Sequence, residues 1–271
     1  MKIFRSRNRV DTPPPVGAPL HLANTLFREG QYAAAEAEAR AVAARHARHA
    51  KSARSLVAAA LGAQGRHAEA LAEYDALLPV FGREYGAEHP LTLQLRVNRA
   101  QTLITLGRHA ECEVECAAVA RAASRGTGAA MQVLVGVARN GQIYAVNAQG
   151  RHEEAEALAR AALAARDSPD RLTLALRLGL ARSLNGQERH DEAATEARHA
   201  EELFRSLSED HRRTETGAVE LAMATALVGL GRGAEAGPLA AAALDACVAA
   251  FGPDHYRVAE ARALLDRIDG A

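Results

Sequence analysis

Gly65-Arg66-His67-Ala68-Glu69-Ala70 returns along the chain as Gly107-Arg108-His109-Ala110-Glu111-Cys112 and as Gly150-Arg151-His152-Glu153-Glu154-Ala155. Two further copies are Glu188-Arg189-His190-Asp191-Glu192-Ala193 and Gly231-Arg232-Gly233-Ala234-Glu235-Ala236, and a weaker first one is Gly30-Gln31-Tyr32-Ala33-Ala34-Ala35. The six anchors lie 35, 42, 43, 38 and 43 residues apart. Self-similarity at a near-fixed period marks a repeat architecture, in which each unit buries its apolar face against its neighbours.

The flanks repeat as well. A small residue follows each anchor by five positions (Ala35, Ala70, Cys112, Ala155, Ala193, Ala236) and an aliphatic one precedes it by four (Leu26, Leu61, Leu103, Val146, Leu184, Leu227). Ala dominates seven positions before (Ala23, Ala58, Ala100, Ala181, Ala224, with Ile143 the exception), and Leu22, Val57, Leu180 and Met223 stand eight before. Separations of four and of seven or eight place these residues on one helical stripe. The spacing predicts one helix closing at the anchor, where Gly takes the left-handed conformation, and a second running back along it. Glu188 stands where the fifth repeat lacks the glycine, with Gly186 two residues earlier, and Arg99 and Gln142 occupy places that are apolar elsewhere.

Composition agrees. Of 271 residues 48% are apolar but only 4% aromatic, with no Trp, which suits close-packed Ala- and Leu-rich helix pairs. The 33 basic and 33 acidic residues cancel, which argues against nucleic-acid partners, an RNA-binding solenoid included, because phosphate binding needs excess cations. No long uninterrupted apolar run suggests a membrane span, and no secretory signal follows the basic N-terminus, so a cytoplasmic protein is expected. Residues 1–18, with Pro13, Pro14 and Pro15, read as a flexible tail ahead of a repeat domain at 19–271. Ser168-Pro169-Asp170, Ser208-Glu209-Asp210 and Pro253-Asp254 read as helix starts. The last opens a capping helix at about 253–269, with Val258, Ala261, Leu264, Leu265 and Ile268 towards the stack and Arg257, Glu260, Arg262, Asp266 and Arg267 towards water.

The pattern resembles the tetratricopeptide repeat. Its lengthened period and linkers such as Tyr85-Gly86-Ala87-Glu88-His89-Pro90 and Phe251-Gly252-Pro253-Asp254-His255 are similar to the kinesin light chain subtype. The resemblance implies an all-α, right-handed superhelical solenoid of six antiparallel helix pairs and a capping helix. It also implies that the first helix of each pair lines a concave groove where protein or peptide partners dock.

No phosphate loop, HExxH or paired nucleophile and base is present, so no enzyme and no cofactor are expected. His67, His109, His152 and His190 recur one repeat apart, about 10 Å by helix spacing, too far to share a metal. They read as packing groups, His89 and His255 as linker caps, and Cys112, Cys116 and Cys247 as buried thiols. Counting back from the anchors places Gln101, Thr105, Asn140, Tyr144, Asn147, Arg182 and Asn185 on the groove as candidate peptide- or protein-binding residues. Asn pairs with a backbone through donor and acceptor, Arg182 suits a carboxylate, and Tyr144 offers a flat contact. Alanine at Asn140, Asn147 and Asn185 together is expected to abolish capture and to leave helicity intact. The apolar lining of repeats one, two and six leaves room for a partner helix or self-association. Two functions follow: a scaffold that holds a protein or peptide in the groove, or a peptide-responsive regulator whose repeats change shape.

Overall fold

A computed structural model of the chain describes residues 18–253 and 255–270, and the calls on residues 1–17 and Asp254 lie outside them. The described residues form an all-α solenoid of six helix pairs and a final helix. The pairs are α1 (Ala18–Arg28) with α2 (Tyr32–Arg45), α3 (Ala50–Ala63) with α4 (His67–Tyr85), and α5 (Pro90–Thr105) with α6 (His109–Arg125). Then come α7 (Ala129–Ala148) with α8 (His152–Ala164), and α9 (Arg171–Gly186) with α10 (His190–Ser206). A short α11 (Glu209–Arg213) precedes α12 (Ala218–Gly229), its partner α13 (Gly233–Phe251) and the last helix, α14 (Tyr256–Asp269). Ser208 therefore starts only a five-residue turn, and the sixth pair begins after Gly217, whose left-handed backbone redirects the chain.

Each turn inside a pair closes the same way. The amide after the anchor donates to the carbonyl four residues before it: Arg66 to Leu61 at 3.0 Å, Arg151 to Val146 at 3.2 Å, Arg232 to Leu227 at 2.8 Å. This six-to-one bond needs a left-handed residue at the anchor. Gly65 supplies it at φ 79°, and Glu188 adopts it at φ 60° in place of glycine. Gly186 is the last residue of α9, and it is small for another reason. A Cβ there would come within 2.3 Å of the His152 ring.

The six small residues after the anchors are all fully buried, where the two helices of a pair cross. Val57 and Leu180 are buried on the predicted stripe, but Leu22 is 53% exposed, because no described helix precedes α1 to cover it. Arg99 reaches out to Asp75 (2.6 Å), and Gln142 stays buried by accepting from Arg139 (2.9 Å). Helix α13 is, by length and composition alone, apolar enough to cross a membrane, with mean hydropathy 1.4, because alanine counts as apolar even where charges interrupt the run. In the solenoid it packs against α12 and α14 through Ala236, Ala240 and Ala243.

Two sets of polar contacts explain the recurrent Arg and Glu. Within a turn, Arg66 grips Glu69, Arg108 Glu111, Arg151 Glu154, Arg189 Glu192 and Arg232 Glu235. These pairs are exposed to solvent and contribute little to stability. Between repeats the contacts are better shielded. Gln64 and Arg66 both donate to Glu36 (2.9 and 2.8 Å), Gln149 and Arg151 to Glu113 (2.8 and 2.7 Å), and Gln187 and Arg189 to Glu156 (2.8 and 2.6 Å). Burial works to raise the Glu36 carboxyl, but its hydrogen bonds with Gln64 and Arg40 and the Arg66 charge hold it below its usual range. At the other two junctions both partners change together: Leu71 faces a repeat with Leu106, and Ala194 one with Leu230.

Candidate functional site

The first helices of successive pairs stack side by side, α5 on α7, α7 on α9, α9 on α12 and α12 on α14. The inner faces of α7, α9, α12 and α14 enclose a cavity of about 700 Å³, within the usual range for ligand pockets. Its apolar surface comes from residues such as Leu178, Leu221, Ala222 and Leu264. Asn140, Tyr144, Asn147, Arg182 and Asn185 line it, as the count from the anchors places them. Gln101 and Thr105 are not among its lining residues. Gln101 is exposed on α5, and the Thr105 hydroxyl is turned back to the Thr102 carbonyl (2.8 Å).

The five lining residues differ in how committed they already are. Asn147 is 4% exposed. Its amide donates to Ser183 Oγ (2.9 Å) and the Gly179 carbonyl (3.3 Å), and its oxygen meets His152 Nδ1 (3.0 Å). Asn185 repeats the arrangement one pair later, with His190 Nδ1 at 3.2 Å and the Ala222 carbonyl at 3.5 Å. These two asparagines tie each first helix to the next and orient the histidine of the turn. Alanine at Asn147 and Asn185 therefore removes framework bonds as well as any ligand contact, so lost capture by the triple variant would not report on ligand contacts alone. In repeat three Ile104 stands five residues before His109, and His109 Nδ1 is buried without a hydrogen-bond partner among the described residues. Asn140 carries no such side-chain bond among the described residues.

Arg182 and Tyr144 meet a group that sequence reasoning placed in water. Glu260 of α14 accepts from the Tyr144 hydroxyl through Oε1 (3.3 Å) and from Arg182 through Oε2 (3.0 Å). The Arg182 guanidinium lies 4.7 Å from the Tyr144 ring centre, and the Tyr256 ring meets Tyr144 edge-on at 5.6 Å. Burial works against the Arg182 charge, but Glu260 and the two tyrosines hold its pKa above the usual arginine range. Burial and the Glu260 charge push the Tyr144 phenol up, so it stays a hydrogen-bond donor.

Arg257 is likewise turned inward. Its side chain is 13% exposed, bonds Glu215 (2.9 Å) and the Thr214 carbonyl (2.9 Å), and packs over Phe251 and Tyr256. Arg171 bonds the same buried Glu215 at 3.2 Å. The reason for both corrections is geometric. The solenoid curves until the start of α14 faces α7, so one flank of the last helix looks into the cavity. A periodicity count knows each helix's faces but not what lies across the groove. Three arginines and two glutamates line the cavity, and Arg267 has no ion-pair partner among the described residues, so it carries excess positive charge.

The other candidates act locally. His89 Nδ1 accepts from the Leu91 amide (3.2 Å) and His255 Nδ1 from the Arg257 amide (3.3 Å), while Asp170 caps α9 through the Thr173 amide (3.0 Å). Cys112 and Cys116 are buried with their sulfurs 3.8 Å apart, and that contact together with burial keeps the Cys112 thiol protonated. Among the described residues no cluster of three or more His, Cys, Asp or Glu is placed to hold a metal ion.

Residues 49–111 and 137–161 match family models described as tetratricopeptide repeat. None of the curated proteins compared is similar in sequence. Among solved structures, Bacillus thuringiensis PlcR in complex with the peptide PapR7 and DNA has the same fold over 82% of this chain and 75% of its own, at a TM-score of 0.57 and 17% identity. A tetratricopeptide repeat protein from Parabacteroides merdae aligns over 93% of this chain and 98% of its own, at a TM-score of 0.49 and 13% identity.

Proposed function

We propose that the chain binds a peptide, free or as a segment of a protein, in the cavity between α7, α9, α12 and α14. The observation that carries this reading is the cavity itself. It is a concave space of about 700 Å³ with apolar walls and a few convergent polar groups, among them Tyr144, Arg182 and Asn140. That combination fixes the orientation of a ligand while apolar burial supplies most of the affinity. The tetratricopeptide matches support it, and so does the fold shared with a protein solved with a bound peptide. The kinesin light chain subtype is a finer reading that rests on the long period and the linkers Tyr85-Gly86-Ala87-Glu88-His89-Pro90 and Phe251-Gly252-Pro253-Asp254-His255. A regulatory role, in which the ligand changes the solenoid's shape, is favoured by one feature: Glu260 and Tyr256 already bridge the groove.

Filling the cavity tests the proposal. Ala263 lines it from the exposed side of α14, and Ala241 lies exposed on α13 away from it. Ala263→Trp is expected to abolish capture of a peptide or protein from native extract, and Ala241→Trp to preserve it. Equal capture by both variants would remove the cavity as the binding site.

A further inference from the structure

Glu260 stands where a ligand carboxylate would stand. Its two oxygens are divided between the Tyr144 hydroxyl and Arg182, on helices that precede it by 116 and 78 residues. Solvent reaches part of the pair, since the Glu260 side chain is 33% exposed and that of Arg182 is 39% exposed. The rest of α14 is fastened independently. Val258, Ala261 and Leu264 are buried in the stack, and Arg257 holds Glu215 on the segment before α12. Glu260 can therefore leave Arg182 without undocking the helix, and a second carboxylate arriving there leaves no buried charge unpaired.

We propose that Glu260 is a built-in competitor for the cavity's anion subsite, displaced from Arg182 and Tyr144 by an acidic side chain of the bound peptide. The proposal rests on the cavity being the binding site and adds the chemistry of its ligand. The occupant seen in the structure is a carboxylate, and the proposal assigns the recognised group to an Asp or Glu side chain, which the probes below distinguish from a chain terminus. Arg267, two turns along the same helix and without an ion-pair partner among the described residues, adds to the same preference. An internal ligand on the same chain competes at high effective concentration, so the free protein takes only acidic peptides that offer further contacts. Displacement also removes one contact between α14 and α7, which loosens the helix locally around Glu260 while Val258, Ala261 and Leu264 keep it docked.

Fluorescence anisotropy with a labelled, acetylated and amidated hexaglutamate, which offers side-chain carboxylates alone, reads the competition directly. Glu260→Gln is expected to bind this probe about fivefold more tightly than the wild-type chain, roughly the worth of one partly screened ion pair. Adding Arg182→Gln to that variant is expected to cancel the gain. Hexaglutamine with a free C-terminus is expected to bind both chains alike. The idea fails if Glu260→Gln gains nothing, or if the gain survives Arg182→Gln and so reflects only a lost negative charge. It fails equally if the free-terminus probe gains as much as the acidic one. In the wild-type chain, hexaglutamate is expected to speed amide exchange over residues 256–262, and unchanged exchange also counts against the proposal. These readouts do not use the capture assay. Normal capture by Ala263→Trp with a positive competition result would leave the subsite standing and remove the cavity as the natural binding site, and the reverse pattern would do the opposite.

Discussion

Replacing Asn147 with alanine is expected to destabilise the solenoid by about 2–3 kcal/mol. The change removes donation to Ser183 Oγ at 2.9 Å and to the Gly179 carbonyl at 3.3 Å, and the contact with His152 Nδ1 at 3.0 Å. Each buried bond is worth roughly 0.5–1.5 kcal/mol net, and a group left without a partner costs about as much again. The Ser183 hydroxyl keeps its bond to the Gly179 carbonyl at 2.9 Å, so the orphaned group is the imidazole of His152. Alanine returns up to ~0.7 kcal/mol through its better helix propensity. For a chain of this size such a loss lowers the melting temperature by roughly 5–10 °C. Asn140→Ala is the internal control. It lines the same cavity without a framework bond, so it should leave stability unchanged or raise it by up to ~0.7 kcal/mol. Thermal and guanidinium unfolding followed by circular dichroism measure both. Equal melting of the two variants would refute the assignment of Asn147 to the framework.

Three further outcomes follow from single residues. Glu188→Gly should stabilise the chain by about 0.5–1 kcal/mol, since Glu188 holds a left-handed φ of 60° that costs a non-glycine residue about 1–2 kcal/mol; an unchanged unfolding midpoint would contradict this. Glu215→Gln should cost about 3 kcal/mol, because it strands the nearly buried Arg257, and should raise amide exchange across α14; an unaltered exchange pattern would show that the pair does not hold the helix. Burial and the Arg257 charge lower the His255 pKa from 6.5 to about 4, so between those values the unfolded chain takes up a proton that the folded one refuses. Stability should therefore fall as the pH drops from 6.5 towards 4, and His255→Asn, which still caps α14, should flatten that slope; an equally steep slope in the variant would assign it elsewhere.

The repeat was legible because its signals are local. A glycine that must turn left-handed, a small residue five positions on and an aliphatic carbonyl four positions back all act within one turn, and all six copies close alike. The cavity was half legible. Tyr144, Arg182 and the three asparagines fall on the inner face by counting alone. What answers them could not be counted, since Glu260 meets Tyr144 across 116 residues only because of the curvature of the stack. The structural duty of Asn147 and Asn185 was within reach, because each stands five residues before a turn histidine and Ile104 breaks the rule before His109. The pairing of Glu36 with Gln64, Glu113 with Gln149 and Glu156 with Gln187 was also written at fixed offsets, and only the contact showed that the two offsets belong together.

That pairing limits which units can follow which. Repeat four carries Gln149 on its upstream side and Glu156 on its downstream side, so a tandem copy of it would find its own complement. Repeat five offers Ala194 to a following Gln187, repeat two offers Leu71 to Gln64, and repeat three offers Glu113 to Leu106, so copying any of these would set an amide or a carboxylate against a side chain unable to answer it. The inner array is thus ordered like keyed bricks, and of repeats two to five only repeat four can be duplicated in frame without a mismatch.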